Sequence, residues 1–351
     1  MRICYFTLTN RPPARDMVYL DGLRQNGVEI IECKNNSPTW RKFLMLYKKH
    51  KLIKNDYDVL LVGYSAHILV PLARLISRKK IVFNALSSLY EGIIVAREQS
   101  TPFSFKGLYC WLVDFFAFHL AHLSLLESQK QVEYASAKFF VSRKKLLRSW
   151  TGANDQDFFH NPSISKAKDF TVLFRGGFLP ESGIEYAIET AKILQNENIK
   201  FRIIGTGMMN QKIENILASF DSKNIEWIRD KLGIAELRKK TQECHLSLGQ
   251  LSNHDRLNRT IPHKSFESAV MKIPYLTARN KAVLELFKEN ETCFCCNPAD
   301  AQDLAKKILA IKSKPELREK IAENAYQLYL QELTPKILAE KLLRAMEFHL
   351  T

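Results

Sequence analysis

Short apolar runs alternate along the chain with longer segments of helical periodicity. Residues 2–8, RICYFTL, form an apolar run, and the loop TNRPPARD follows. In MVYLDGLRQNG, 17–27, apolar positions recur at helical spacing and Asn26-Gly27 supplies a stop. Further strands are predicted at VEIIEC (28–33), YDVLLVGY (57–64), KIVFNAL (80–86), HLSLLES (122–128) and within KKLLRSWTG (144–152). Helical segments at 39–54 and 66–80 separate them. Strands apolar on both faces, spaced by helices, imply a parallel sheet covered on both sides. Residues 152–169 are polar and rich in turn formers, the composition of a linker.

The pattern then restarts. Strands are predicted at FTVLFRGG (170–177), KFRIIGTG (200–207), IEWIR (225–229), HLSLGQL (245–251), KIPYLTA (272–278) and TCFCCNP (292–298). Helices are expected at 183–196, 209–220, 233–244, from about Ser265, at 300–313, at 314–332 and at 334–350. This organisation predicts two doubly wound α/β domains with a cleft between them, and ligands in such sheets bind beyond the carboxyl ends of strands. The expected divisions are 1–160, 161–333 and a C-terminal helix, 334–351, packing back on the first domain.

Composition narrows the class. The chain has 351 residues, 46% hydrophobic and 25% charged, ordinary values for a protein with a real core. Its net charge of +15 favours anionic partners. Nucleic acid is not expected, for the chain has no helix-turn-helix, RNA-binding or zinc signature. Seven irregularly spaced cysteines fit a reducing compartment, and CFCC at 293–296 reads as strand core rather than metal site. MRICYF starts a strand, not a secretory leader. Residues 107–126 have the length of a membrane span, yet Asp114, His119 and His122 favour a buried helix followed by a short strand. The basic segments 41–54 and 143–148 are either solvated helix faces or contacts for anionic lipid headgroups. A cytoplasmic protein, peripheral on the inner face of the membrane in the second case, is expected.

Several strings together resemble the retaining GT-B glycosyltransferases of the large group 1 (glycosyltransferase family 4-like) family. They are VLFRGGFLPESGIEYAIETAKIL, FRIIGTGMMNQKIENIL, TIPHKSFESAVMKIPYLTA and NPADAQDLAKKILAIKSKPELREKIAENA. In the first half, GLRQNGVEIIEC and YDVLLVGYSAHILVPLAR also resemble members. The resemblance spans nearly the whole chain and rests on order and spacing, not on any one motif. It implies two Rossmann-like domains facing each other across a cleft, a nucleotide-sugar donor on the second, and a glycan or lipid-linked acceptor on the first. Transfer with retention of configuration is implied, with no metal or other cofactor.

The residues fit that chemistry. A nucleoside diphosphate leaving group develops negative charge, so preorganised donors and cations are needed at the phosphates. Arg175 and Lys264 are the candidate catalytic cations. Gly176 and Gly177 allow close backbone approach to an anion. Glu267 matches the family carboxylate that accepts from the ribose hydroxyls; alone it also reads as a helix N-terminal Glu favoured by the dipole. Gly205, Thr206 and Gly207 pass beneath base or ribose, or form a plain strand-to-helix turn. Arg15, on the loop after the first strand, His67 and Glu91 are the acceptor-side candidates. The pattern departs from the family where cations are usual, at Gly177 and Ser182, and where a carboxylate is usual, at Arg259, counted here as donor-binding. Arg256 and Arg259 are candidates to compensate. A non-catalytic nucleotide-sugar-binding subunit is therefore the alternative.

Overall fold

A computed structural model describes residues 1–350. The chain forms two compact units, one of Met1–Asn154 with the segment from Leu333 onward, the other of Asp155–Glu332.

The first unit is built on six parallel strands, β1 (Arg2–Thr7), β2 (Glu29–Lys34), β3 (Val59–Val62), β4 (Lys80–Leu86), β5 (Leu123–Leu126) and β6 (Leu146–Arg148), in the order β2-β1-β3-β4-β5-β6. β6 is only three residues long, because a 3-10 turn occupies Arg143–Lys145. α2 (Arg41–Ile53), α3 (Leu69–Ile76), α4 (Phe105–Leu120) and α5 (Gln129–Phe139) share one core, with Leu46, Val70, Phe118 and Val132 buried together with Phe6 and Phe83 of the sheet. α1 (Ala14–Gln25) and α12 (Pro335–Leu350) pack on each other. Gly22 permits that approach, since a Cβ there would overlap the Pro335 carbonyl.

The second unit has β7 (Phe170–Arg175), β8 (Ile199–Ile204), β9 (Ile225–Ile228), β10 (Leu246–Leu248), β11 (Tyr275–Ala278) and β12 (Phe294–Cys296), all parallel, in the order β12-β11-β10-β7-β8-β9. Its helices are α6 (Ile184–Ile193), α7 (Asn210–Leu217), α8 (Ile234–Gln242), α9 (His263–Val270), α10 (Ala301–Lys312) and α11 (Pro315–Glu332). The chain moves outward from β7 to β9, then returns to place β10 on the other side of β7. The crevice between the ends of β7 and β10 is therefore the topological switch point, where ligands of open α/β sheets bind. All seven cysteines are buried and unbridged.

The segment considered as a span resolves into α4 and β5, and among the described residues no helix is long and apolar enough to cross a membrane. α4 departs from expectation in one respect. Only one side of it is buried; Phe105, Leu108, Tyr109, Leu112 and Phe116 are exposed.

Candidate functional site

At the switch point of the second unit lies a pocket of about 250 Å³ lined by Arg175, Gly176, Gly177, Leu179, Glu181, Ser182, Gln250, Pro262, His263, Lys264 and Glu267. Its parts come from three places in the sequence. β7 ends at Arg175 and hands over to the Gly176–Gly177 turn. β10 leads to Gln250, and α9 contributes Lys264 and Glu267 from its first turns.

α9 starts at His263, two residues earlier than expected, with Pro262 at its N-cap. Pro262 has no N–H to lose and its φ suits a helix entry. Lys264 and Glu267 are three residues apart, hence on one face. The Lys264 ammonium donates to the Gly249 carbonyl at 3.0 Å and lies 4.4 Å from the centre of the Phe174 ring. Burial, and then the Arg175 charge, push its pKa down to about 7, against the opposing pull of Glu267 and Glu181. An anion nearby would favour the protonated form of this lysine.

Arg175 lies on the side of the strand that faces the pocket. Its guanidinium forms an ion pair with Glu267, and stacks 5.4 Å from the Phe158 ring. Two groups expected to serve phosphate and ribose separately are thus paired with each other. Beside them Arg256 donates to both carboxylate oxygens of the buried Glu181 at 2.7 Å. This brings a cation alongside Ser182, where the sequence has none. Arg259 pairs with Asp255 at 2.7 Å and is not part of the pocket wall. Two polar atoms of the wall, Ser182 Oγ and Gln250 Oε1, are buried and have no hydrogen-bond partner among the described residues. Both are suited to a polar ligand. Gln250, Leu179, Glu181 and His263 escaped the sequence reading; for Gln250, only the adjacency of β10 to β7 brings its loop to the glycine turn.

Gly205, Thr206 and Gly207 line the neighbouring turn rather than the pocket. Phe178 N–H donates to the Thr206 carbonyl at 3.1 Å, and Gly176 N–H to that of Ile204 at 3.0 Å. Gly205 has φ +142°, and a Cβ on it would overlap the Gly176 carbonyl. These residues support the glycine turn.

The three candidates in the first unit are interior groups. Arg15 belongs to α1, not to the preceding loop, and is fully buried. It donates to Asn84 Oδ1 (2.6 Å), the Ser149 carbonyl (3.0 Å) and Thr151 Oγ1 (3.1 Å). His67 and Glu91 sit in a buried polar cluster around the chain after β4. His67 Nε2 is 3.0 Å from the Ser87 carbonyl and 3.7 Å from Asp114 Oδ1. Burial lowers its pKa to about 4, so the ring is neutral near pH 7. Glu91 accepts from Gln131 Nε2 at 2.5 Å. Asp114, from α4, accepts from the Leu89 and Tyr90 amides at 2.9 and 2.7 Å and organises this turn.

A doubly wound sheet whose switch point carries a glycine turn, cations and a carboxylate has parts suited to a phosphorylated ligand. Among known proteins, residues 155–328 match the family model of glycosyl transferases group 1, a stretch that lies within the second unit. The match begins where the unit begins. The chain is 27% identical over 161 residues to the alpha-D-kanosaminyltransferase of Streptomyces kanamyceticus, an alignment covering 44% of this chain and 39% of that protein. It is 21% identical over 290 residues to the 2-deoxystreptamine N-acetyl-D-glucosaminyltransferase of Niallia circulans, covering 76% of this chain and 70% of that one. The chain thus spans about two fifths of the first of these relatives. Anabaena Alr3699/HepE, solved in complex with UDP and glucose, superposes with a TM-score of 0.74 at 15% identity, over 99% of this chain and 100% of that one. This likeness concerns the fold, and the two six-stranded Rossmann-like sheets are those of the GT-B class expected from the sequence.

Proposed function

We propose that the chain is a nucleotide-sugar-dependent glycosyltransferase that moves a sugar to a glycan or lipid-linked acceptor with retention of configuration. The observation that carries this is the pocket at the β7/β10 switch point, in a unit whose sequence matches glycosyl transferases group 1. Lys264 and the glycine turn would meet the diphosphate, and Glu267 the ribose. Arg175 would leave Glu267 for the phosphate as the donor enters, and the charge developing on the leaving diphosphate would then rest on two cations. Retention asks for no protein base if the leaving phosphate takes the acceptor proton. The UDP and glucose bound to Anabaena HepE support a uridine nucleotide as the first donor to try.

The test is calorimetric titration with UDP, GDP and their sugars, followed by NMR of the product's anomeric proton. The proposal predicts binding of one nucleotide and a product of the donor's own configuration. A folded protein that binds none of them contradicts it. A second reading, donor binding without transfer, is favoured by the pairing of Arg175 with Glu267 and of Arg256 with Glu181, which engages both arginines with carboxylates of the pocket wall. Any detected turnover excludes it.

A further inference from the structure

α2, α3 and α4 lie side by side over one core on one face of the first unit's sheet. Their outer surface has two unusual properties. The first is apolar exposure. On α4 the exposed residues Phe105, Leu108, Tyr109, Leu112 and Phe116 follow a helical stripe, while Cys110, Asp114, Ala117 and Phe118 face inward. A helix apolar on every side is normally covered on every side. Just before it, a turn closed by Ser104 N–H to the Thr101 carbonyl (3.2 Å) holds Phe103 at its tip. Phe103 and Phe105 are 101% and 94% exposed. Tyr90, Pro102, Leu108, Trp111 and Lys138 border an adjoining groove of about 340 Å³. On α2 and α3, Leu44, Leu52 and Leu75 are also exposed.

The second property is charge. The three helices hold seven lysines and arginines but a single carboxylate, Asp114, which is fully buried. Their outer face therefore carries cations and apolar side chains and no acid. A second copy of this chain is a poor occupant, since a two-fold contact would set cations against cations. Nucleic acid would answer the charge but not a leucine-bearing stripe with phenylalanines at its tip.

We propose that this face docks on an anionic lipid bilayer, the Phe103–Phe105 tip and the α4 stripe entering the headgroup–acyl boundary while the α2 and α3 cations meet the headgroups. The combination of apolar stripe and basic flank is that of interfacial helices. The inference does not depend on the glycosyltransferase reading.

The test is sedimentation of the full chain with vesicles of phosphatidylcholine alone and of phosphatidylcholine with phosphatidylglycerol. The chain is expected to pellet with the anionic vesicles, and much less with the neutral ones. Phe103→Ser/Phe105→Ser is expected to abolish most of that binding at unchanged melting temperature, because both side chains are exposed. Lys48→Glu/Lys51→Glu is expected to weaken it on the order of tenfold or more. Failure to pellet with either vesicle overturns the proposal, as does binding that the Phe103→Ser/Phe105→Ser variant retains. So does a concentration-dependent dimer, or capture of a single-stranded oligonucleotide, that the same variant abolishes.

Discussion

Lys264 concentrates the chemistry of the pocket in one side chain. It is held by the Gly249 carbonyl and packed over Phe174, so its charge is only partly compensated before a ligand arrives. Lys264→Ala should weaken UDP binding by about 1–3 kcal/mol, the worth of a charge-assisted hydrogen bond, in a calorimetric titration. Unchanged affinity would remove Lys264 from the phosphate contacts. The same lysine makes binding pH-dependent. With its pKa near 7 in the free chain, it is increasingly neutral above that pH, and a bound diphosphate would raise its pKa again. Binding above pH 7 therefore takes up a proton, and affinity should fall by up to roughly tenfold per pH unit from 7 upward. In folding the sign is opposite. The unfolded lysine titrates near 10.5, above its folded value, so this group's contribution to stability rises with pH between about 7 and 10.5. Titrations in buffers of different ionisation enthalpy read the proton uptake directly, and Lys264→Ala should abolish it.

The turns that follow β7 and β8 act as a pair. Gly176 and Phe178 bond to the 204–206 backbone, and Gly205 leaves room for the Gly176 carbonyl. Gly205→Ala meets both a positive φ and a backbone overlap, so it should destabilise the chain by more than about 1 kcal/mol in a urea melt. It should also reduce UDP affinity by displacing the Gly176–Gly177 turn. A variant that unfolds like the parent and binds UDP normally would show that the two turns are independent. The Gly-x-Gly string was visible in the sequence as a candidate ligand loop. Its structural reason, contact with the other glycine turn, depends on β8 lying beside β7. Arg15 shows the opposite limit. Its expected place on the loop after β1 suggested a ligand contact, but nothing local records that Asn84, Ser149 and Thr151 converge on it from far along the chain.

Each unit of the molecule has its own sheet and its own core, and the candidate pocket belongs wholly to the second. A ligand stabilises the fold it binds by mass action, about 2.7 kcal/mol at a hundredfold excess over Kd. Differential scanning calorimetry with UDP should therefore raise the transition that carries the second unit's unfolding. Where two transitions are resolved, the other should stay in place. A shift of only the first unit's transition would locate the nucleotide elsewhere.

The order of strands and helices, their parallel pairing and the buried cysteines were legible along the chain. Hydrophobic periodicity is local, and a parallel sheet covered on both faces follows from continuous apolar runs between helices. Lys264 and Glu267 could be paired on paper because helical spacing is equally local. Strand order is not. That β10 returns to the far side of β7, bringing Gln250 and Lys264 to the glycine turn, and that Arg175 pairs with Glu267 across 92 residues, were decided by tertiary packing. So was the exposure of α4, whose sequence is apolar enough for any interior. A helix is buried only where a neighbour covers it, and its own residues do not specify that neighbour.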